Sequence, residues 1–201
     1  MISVLLADDQ ALVRGALAAL LDLEPDLQVV AQVGSGAEAV TACSSSRPDV
    51  ALLDVEMPGM DGITATAEVK RQFPGIKVLI VTTFGRPGYL RRALRAGADG
   101  FVVKDTPAPQ LADAVRRVHA GFRVVDPMLA ADSAISGETP LTARETEVLR
   151  VARDGVTVEQ IARRVSLSEG TVRNHLSSAI GKTGARTRSE AARIATANGW
   201  L

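Results

Sequence analysis

The chain has 201 residues, enough for one large domain or two small ones, and its 46% apolar and 23% charged content excludes a disordered protein. No apolar run reaches the ~18 residues of a membrane span, so membrane insertion is not expected. The zero net charge is unevenly placed: residues 1–121 carry 12 Lys/Arg against 14 Asp/Glu, and residues 141–201 carry 10 against 6, a basic tail of the kind that meets nucleic acid.

The chain opens with MISVLLADDQ, a short strand that runs into two acids. It lacks the basic segment and cleavable apolar stretch of a secretory leader, so a cytoplasmic protein is expected. Strand-like runs then recur at Ile2–Ala7, Leu27–Val33, Val50–Leu53, Val78–Thr82 and Phe101–Val103. Helix-like runs alternate with them at Ala11–Leu23, Gly36–Ser44, Gly62–Gln72, Tyr89–Ala96 and Pro107–Ala120. The lone cysteine, Cys43, excludes a disulfide framework and reads as a small helix residue. Short continuous apolar strands between helices predict an α/β fold. Its core would be a five-stranded, doubly wound parallel sheet. In such sheets ligands bind outside the C-terminal strand ends.

Those ends collect the polar residues. Asp8 and Asp9 follow strand one, Asp54 follows strand three, Thr82 ends strand four and Lys104 follows strand five. Each alone is an ordinary strand-end residue. Together they place three carboxylates, a hydroxyl and an ammonium on one edge. Clustered carboxylates call for a hard cation such as Mg²⁺. A carboxylate beside such an ion can accept a phosphoryl group, whose oxygens the cation, Thr82 and Lys104 would hold.

The pattern Asp8-Asp9, Asp54 before MPGMDG, then VTT and ADGFVVKD resembles the receiver domain of bacterial response regulators. The resemblance implies the strand order 2-1-3-4-5 and makes Asp54 the phosphoacceptor, with Mg²⁺ held by Asp8, Asp9, Asp54 and the backbone carbonyl of Glu56. It makes Thr82 the switch hydroxyl, Lys104 the phosphate-binding lysine and Thr83 the small residue beside the pocket. Phe101 takes the switch-aromatic position, where plain strand packing is the alternative. Phe84 and the Glu56 side chain take positions that tune phosphate lifetime. A dehalogenase-type phosphatase would need a second Asp where this chain has Glu56, and its nucleophile on the first strand. A dinucleotide-binding enzyme would need a glycine-rich first turn in place of ADDQAL. The protein is therefore not expected to be an enzyme beyond the chemistry at Asp54 itself.

After residue 121 the periodicity lapses, and residues 122–138 read as a linker between a receiver at 1–121 and a helical domain at 139–201. Thr142 with Glu145 and Thr157 with Gln160 each match a capping box. Ser168 and Ser189 read as further N-caps, giving four short helices. Thr157–Val165 and Glu169–Lys182, joined by Ser166-Leu167-Ser168, have helix-turn-helix spacing. In the second helix Val172, Leu176, Ala179 and Thr183 form the inward stripe and leave Arg173, Asn174 and Ser177 outside. These three are either a solvated face or readers of base edges in the major groove.

The stretch LTARETEVLRVARDGVTVEQIARRVSLSEGTVRNHLSSAIGKTG resembles the LuxR-type helix-turn-helix of NarL/FixJ response regulators. It implies a duplex-DNA partner, base contacts from Arg173, Asn174 and Ser177, and backbone contacts from Thr171, His175 and Lys182. One departure is AIGKTG in place of the family's longer apolar pattern: Gly181 costs up to ~1 kcal/mol relative to Ala and predicts a frayed helix end. DVEMPG, TTFGRPGYLRRALRAG, GTVRN and NGWL further resemble the desaturase-regulating, DesR-like members that answer membrane-fluidity kinases.

Helix Ala11–Leu23 is apolar nearly all round, which reads either as a deep core helix or as a second apolar face for self-association. Leu20, Leu21, Val115, Val118, Ala192 and Ala195 are the candidate dimer residues. The expectation is a response regulator phosphorylated at Asp54 by a sensor histidine kinase, which then dimerises and binds DNA. Output by protein contact alone is the alternative.

Overall fold

The computed structural model describes residues 1–83, 87–127, 129–130 and 139–201. The chain divides into two compact units, one of α/β elements and one of four C-terminal helices.

The first unit alternates β1 (Ile2–Ala7), α1 (Ala11–Asp22), β2 (Leu27–Val33), α2 (Gly36–Ser46), β3 (Val50–Leu53), α3 (Gly62–Gln72), β4 (Lys77–Thr82), α4 (Pro87–Arg95), β5 (Gly100–Val103), α5 (Ala108–His119) and β6 (Val124–Val125). All strands are parallel, in the order β2-β1-β3-β4-β5-β6. Among the described residues the sheet therefore has six strands, not five. The extra one is two residues long, pairs Gly100 with Val124 and Phe101 with Val125, and falls inside the stretch read as linker. Two valines are too short to show a period, so only the pairing to β5 reveals them.

Side chains alternate across the sheet because the strand period is two. Leu5, Ala7, Ala51, Leu53, Val78, Ile80 and Phe101 face one side, with Ala39 and Cys43 of α2, Val69 of α3 and Leu90 of α4. Val4, Leu6, Val50, Leu52, Leu79, Val81 and Val102 face the other, with Ala18 and Leu21 of α1 and Leu111, Val115 and Val118 of α5. Both faces are covered, which is why the strands read as unbroken apolar runs. Burial pushes the Cys43 thiol up to about 11, leaving it a packing residue.

This packing corrects the dimer candidates. Leu21, Val115 and Val118 are 1%, 0% and 0% exposed and face the sheet, so a second copy has no access to them. α1 nonetheless keeps a second apolar face, since Leu12, Leu20 and Leu23 are 87%, 42% and 79% exposed.

The second unit comprises α6 (Ala143–Ala152), α7 (Val158–Arg164), α8 (Glu169–Thr183) and α9 (Arg188–Ala197). Both expected capping boxes form, at Thr142–Glu145 and Thr157–Gln160. Ser168 caps α8 by accepting from the Thr171 N–H. The fourth cap is Thr187, which accepts from the Glu190 N–H, rather than Ser189, which lies inside α9. Ala192 and Ala195 are buried in this unit's own core beside Val148, Leu149, Ile161, Val172 and Leu176, so they too drop out as dimer residues.

α8 does not fray at Gly181. It continues to Thr183 and ends at Gly184 in the left-handed conformation (φ 65°), whose N–H caps Gly181 and Ile180 carbonyls. A Cβ at Gly181 would meet nothing within 4 Å. Gly181→Ala should therefore raise the stability of this unit by about 0.5–1 kcal/mol, read as a higher urea midpoint with an unchanged slope.

Candidate functional site

The sheet register brings the strand-end residues together. Ala7 pairs with Leu53, Leu53 with Ile80 and Thr82 with Val103, so the ends of β1, β3, β4 and β5 form one edge. The Asp54 N–H is anchored to the Ala7 carbonyl at 2.9 Å and the Lys104 N–H to the Thr82 carbonyl at 2.8 Å. Asp8, Asp54 and Thr82 are buried, while Asp9 is exposed. The Lys104 ammonium lies between two carboxylates, 2.6 Å from Asp8 Oδ2 and 3.0 Å from Asp54 Oδ2. Asp8, Asp9 and Asp54 each present an oxygen, and these lie within 4.8 Å of one another, a spacing that could hold a metal ion.

Electrostatics follow from this crowding. Burial pushes the Asp54 carboxyl above the usual carboxylate range, against the pull of Lys104, and the neighbouring Asp8 adds to the rise. Burial alone would lower Lys104, but Asp8 and Asp54 together outweigh it and raise the ammonium above its ordinary value.

Some surrounding residues carry no signal in the sequence. The Gln10 N–H donates to Asp8 Oδ1 at 2.9 Å, and the Arg14 guanidinium donates to the Asp8 carbonyl. Arg14, one of two charges on α1, thus turns back toward the pocket. Gly62 opens α3 against the backbone of Asp54, where a Cβ would lie 1.9 Å from the Asp54 carbonyl oxygen. The Tyr89 hydroxyl donates to Glu56 Oε1 at 3.1 Å, and Arg92 reaches Asp61 Oδ2 at 3.4 Å. Both contacts join α4 to the loop after Asp54. A phenol 33 residues from Glu56 leaves no trace in spacing. Phe101 is fully buried among core residues. Thr83 is exposed, and Phe84 lies outside the described residues.

In the helical unit, α7 and α8 frame a short turn closed by the Leu167 N–H to the Ala162 carbonyl at 3.0 Å. Val172, Leu176 and Ala179 face inward, and Arg173, Asn174 and Ser177 are exposed on the opposite face of α8. Thr171 and His175 are half-buried at its margins. The Arg173 guanidinium pairs one turn back with Glu169 at 2.6 Å. Lys182 lies in the last turn of α8, a third exposed. Its ammonium binds Glu145 Oε2 at 2.8 Å, beside the Ser178 hydroxyl, which donates to Glu145 Oε1 at 2.6 Å.

Both units match family models. Residues 4–116 match the response regulator receiver domain, and residues 139–195 match the bacterial regulatory proteins of the luxR family. The chain belongs to the LuxR-family response regulators. It is 44% identical over 201 residues to the uncharacterized transcriptional regulatory protein YvfU of Bacillus subtilis (strain 168), covering 100% of both chains. It is 42% identical over 201 residues to the transcriptional regulatory protein DesR of the same organism, again with 100% of both chains covered. The crystal structure of the response regulator ChrA of a heme-sensing two-component system aligns with a TM-score of 0.60 at 36% identity, over 96% of each chain. This response regulator is thus a two-component transcription regulator with a DNA-binding output domain. Among its described residues no helix is long and apolar enough to cross a membrane.

Proposed function

We propose that Asp54 of this regulator accepts a phosphoryl group from the phosphohistidine of a sensor histidine kinase, and that phosphorylation promotes dimerisation and sequence-specific binding to duplex DNA. The observation that carries this reading is the Lys104 ammonium shared between Asp8 and Asp54 at 2.6 and 3.0 Å. A carboxylate so held is aimed and partly neutralised. As an Asp54 oxygen bonds to phosphorus, the donor's P–N bond breaks. Lys104 and the buried Thr82 hydroxyl are positioned to follow the charge onto the phosphoryl oxygens. The oxygen donors of Asp8, Asp9 and Asp54, with the Glu56 carbonyl, suit Mg²⁺, which when bound neutralises the phosphoryl charge.

On the output side, Arg173, Asn174 and Ser177 would read base edges, with Thr171 and His175 on the phosphates. Lys182 is left out, because its ammonium serves Glu145. The apolar outer face of α1, with Leu12, Leu20 and Leu23, supports self-association, and a dimer would engage paired half-sites.

One experiment tests both halves. Full-length protein is incubated with acetyl phosphate and Mg²⁺, then read by intact mass and sedimentation. The expected result is a gain of about 80 Da, one phosphoryl group, that is lost in Asp54→Ala. Dimerisation should accompany it and be lost in Leu20→Arg, which still takes up phosphate. No uptake by the wild type would overturn the Asp54 reading. A Leu20→Arg protein that dimerises normally would overturn the α1 interface.

A further inference from the structure

We propose that Glu169 is a positioning residue for DNA recognition: its carboxylate holds the Arg173 guanidinium in the pose that reads a guanine edge, and so sets base preference. The inference rests on the reading of Arg173 as a base-contacting residue.

Glu169 is the one acid among the 15 residues of α8, and it stands in the first turn. An acid there suits the positive end of any helix dipole. In a helix that enters a DNA groove the same charge also faces phosphates and weakens binding. Glu169 and Arg173 lie one turn apart, on the same side of α8. Glu169 Oε2 accepts from Arg173 Nη2 at 2.6 Å. Among the described residues no other hydrogen bond or ion pair engages the Arg173 guanidinium. The two side chains are 62% and 46% exposed, so their pairing adds little to the stability of the helix. Its consequence lies in where it puts the guanidinium.

An arginine on a DNA-facing helix has two kinds of partner. Phosphates line the whole duplex and carry no sequence information, whereas guanine offers O6 and N7 at one base. A flexible side chain reaches either. Glu169 biases the choice by geometry and by charge. Nη2 carries two hydrogens, one on each two-donor edge of the guanidinium fork. Glu169 takes one of them, and the other edge keeps its two parallel donors for guanine O6 and N7. The carboxylate also repels a phosphate oxygen that would draw the fork aside. Affinity for DNA in general falls, and the share of binding that depends on a guanine rises.

The test selects duplexes from a pool with randomised positions, using full-length protein phosphorylated with acetyl phosphate and Mg²⁺. Binding to one selected and one scrambled duplex is then measured at several salt concentrations. The wild type should fix a guanine in each half-site, and Arg173→Ala should relax that position. Glu169→Ala should cut the preference for this guanine about five-fold, within the range of one bidentate contact, and tighten binding to the scrambled duplex. Glu169→Gln should tighten that binding equally yet keep most of the preference, because its amide oxygen still accepts from Nη2. In an Arg173→Ala background Glu169→Ala should leave base preference unchanged. Wild-type preference in Glu169→Ala, an equal loss with and without Arg173, or a loss as large in Glu169→Gln would overturn the positioning role of Glu169. A selected pool with no guanine that Arg173→Ala relaxes would instead overturn the base reading, and this one with it.

Discussion

Gly62→Ala should destabilise the α/β unit by about 3 kcal/mol or more and lower phosphoryl uptake at Asp54. The position is set by space. The added Cβ would lie 1.9 Å from the Asp54 carbonyl oxygen, 2.8 Å from its carbon and 3.4 Å from the Val55 Cα. All three are backbone atoms, which have no rotamer to escape into. They are also fixed in place, because the Asp54 N–H is bonded to Ala7 and the Gly62 N–H to the Val55 carbonyl at 3.1 Å. Relief requires α3 to lift or the end of β3 to shift, and the second moves the Asp54 carboxylate away from Lys104. Thermal unfolding followed by circular dichroism measures the first effect and acetyl phosphate uptake the second. Wild-type stability together with wild-type uptake would show that the two backbones do not approach this closely.

Glu145→Ala should cost the helical unit about 2–3 kcal/mol and weaken DNA binding at the same temperature. The Glu145 carboxylate is 4% exposed and accepts from the Thr142 N–H at 2.7 Å, the Ser178 hydroxyl and the Lys182 ammonium. It therefore closes the N-terminus of α6 and ties α6 to α8, the helix proposed to read DNA. Lys182 is a third exposed and can regain water, which holds the cost to the lower part of the range for a broken buried pair. The network also sets an acid limit. Burial alone would raise the Glu145 carboxyl, but Lys182, Ser178 and Thr142 outweigh it and lower it from 4.5 to about 2. A carboxyl depressed by folding contributes stability in full above its unfolded value. That contribution fades as pH falls from about 4.5 toward 2. Glu145→Ala should flatten this acid limb, read from the fluorescence of Trp200, the only tryptophan. A limb as steep as that of the wild type would place the acid sensitivity elsewhere.

What could be read from the sequence followed from periodicity and local chemistry. Short continuous apolar runs between helices marked β1 to β5, and the acids, hydroxyl and amine at their ends fell on one edge once the strands were parallel. Thr142–Glu145 and Thr157–Gln160 spelled their own helix starts. Contacts between distant residues left no such mark. Glu145 and Lys182 meet across 37 residues, and nothing in the spacing of the two announces the pair. Val115 and Val118 showed an apolar stripe without showing that the sheet consumes it. At α9 the hydroxyls of Thr187 and Ser189 compete for the cap, and the choice turns on which of them has the extended backbone. Gly62 reads only as the start of a helix-like run, while the structure uses it to let two backbone segments approach closely.

The division of the α/β core by its sheet has a consequence for how this regulator diversifies. Leu5, Leu53 and Ile80 touch only the layer of α2, α3 and α4, and Val4, Leu52 and Leu79 only that of α1 and α5. Side chains on opposite faces of a strand pack into different layers, so they couple through the shared backbone rather than through side-chain contact. The α1 side, with its bare leucines, and the α4 side, with Tyr89 over Glu56, are thus two packing layers behind one cluster of Asp8, Asp54 and Lys104. A substitution that repacks one side leaves the contacts of the other as they are.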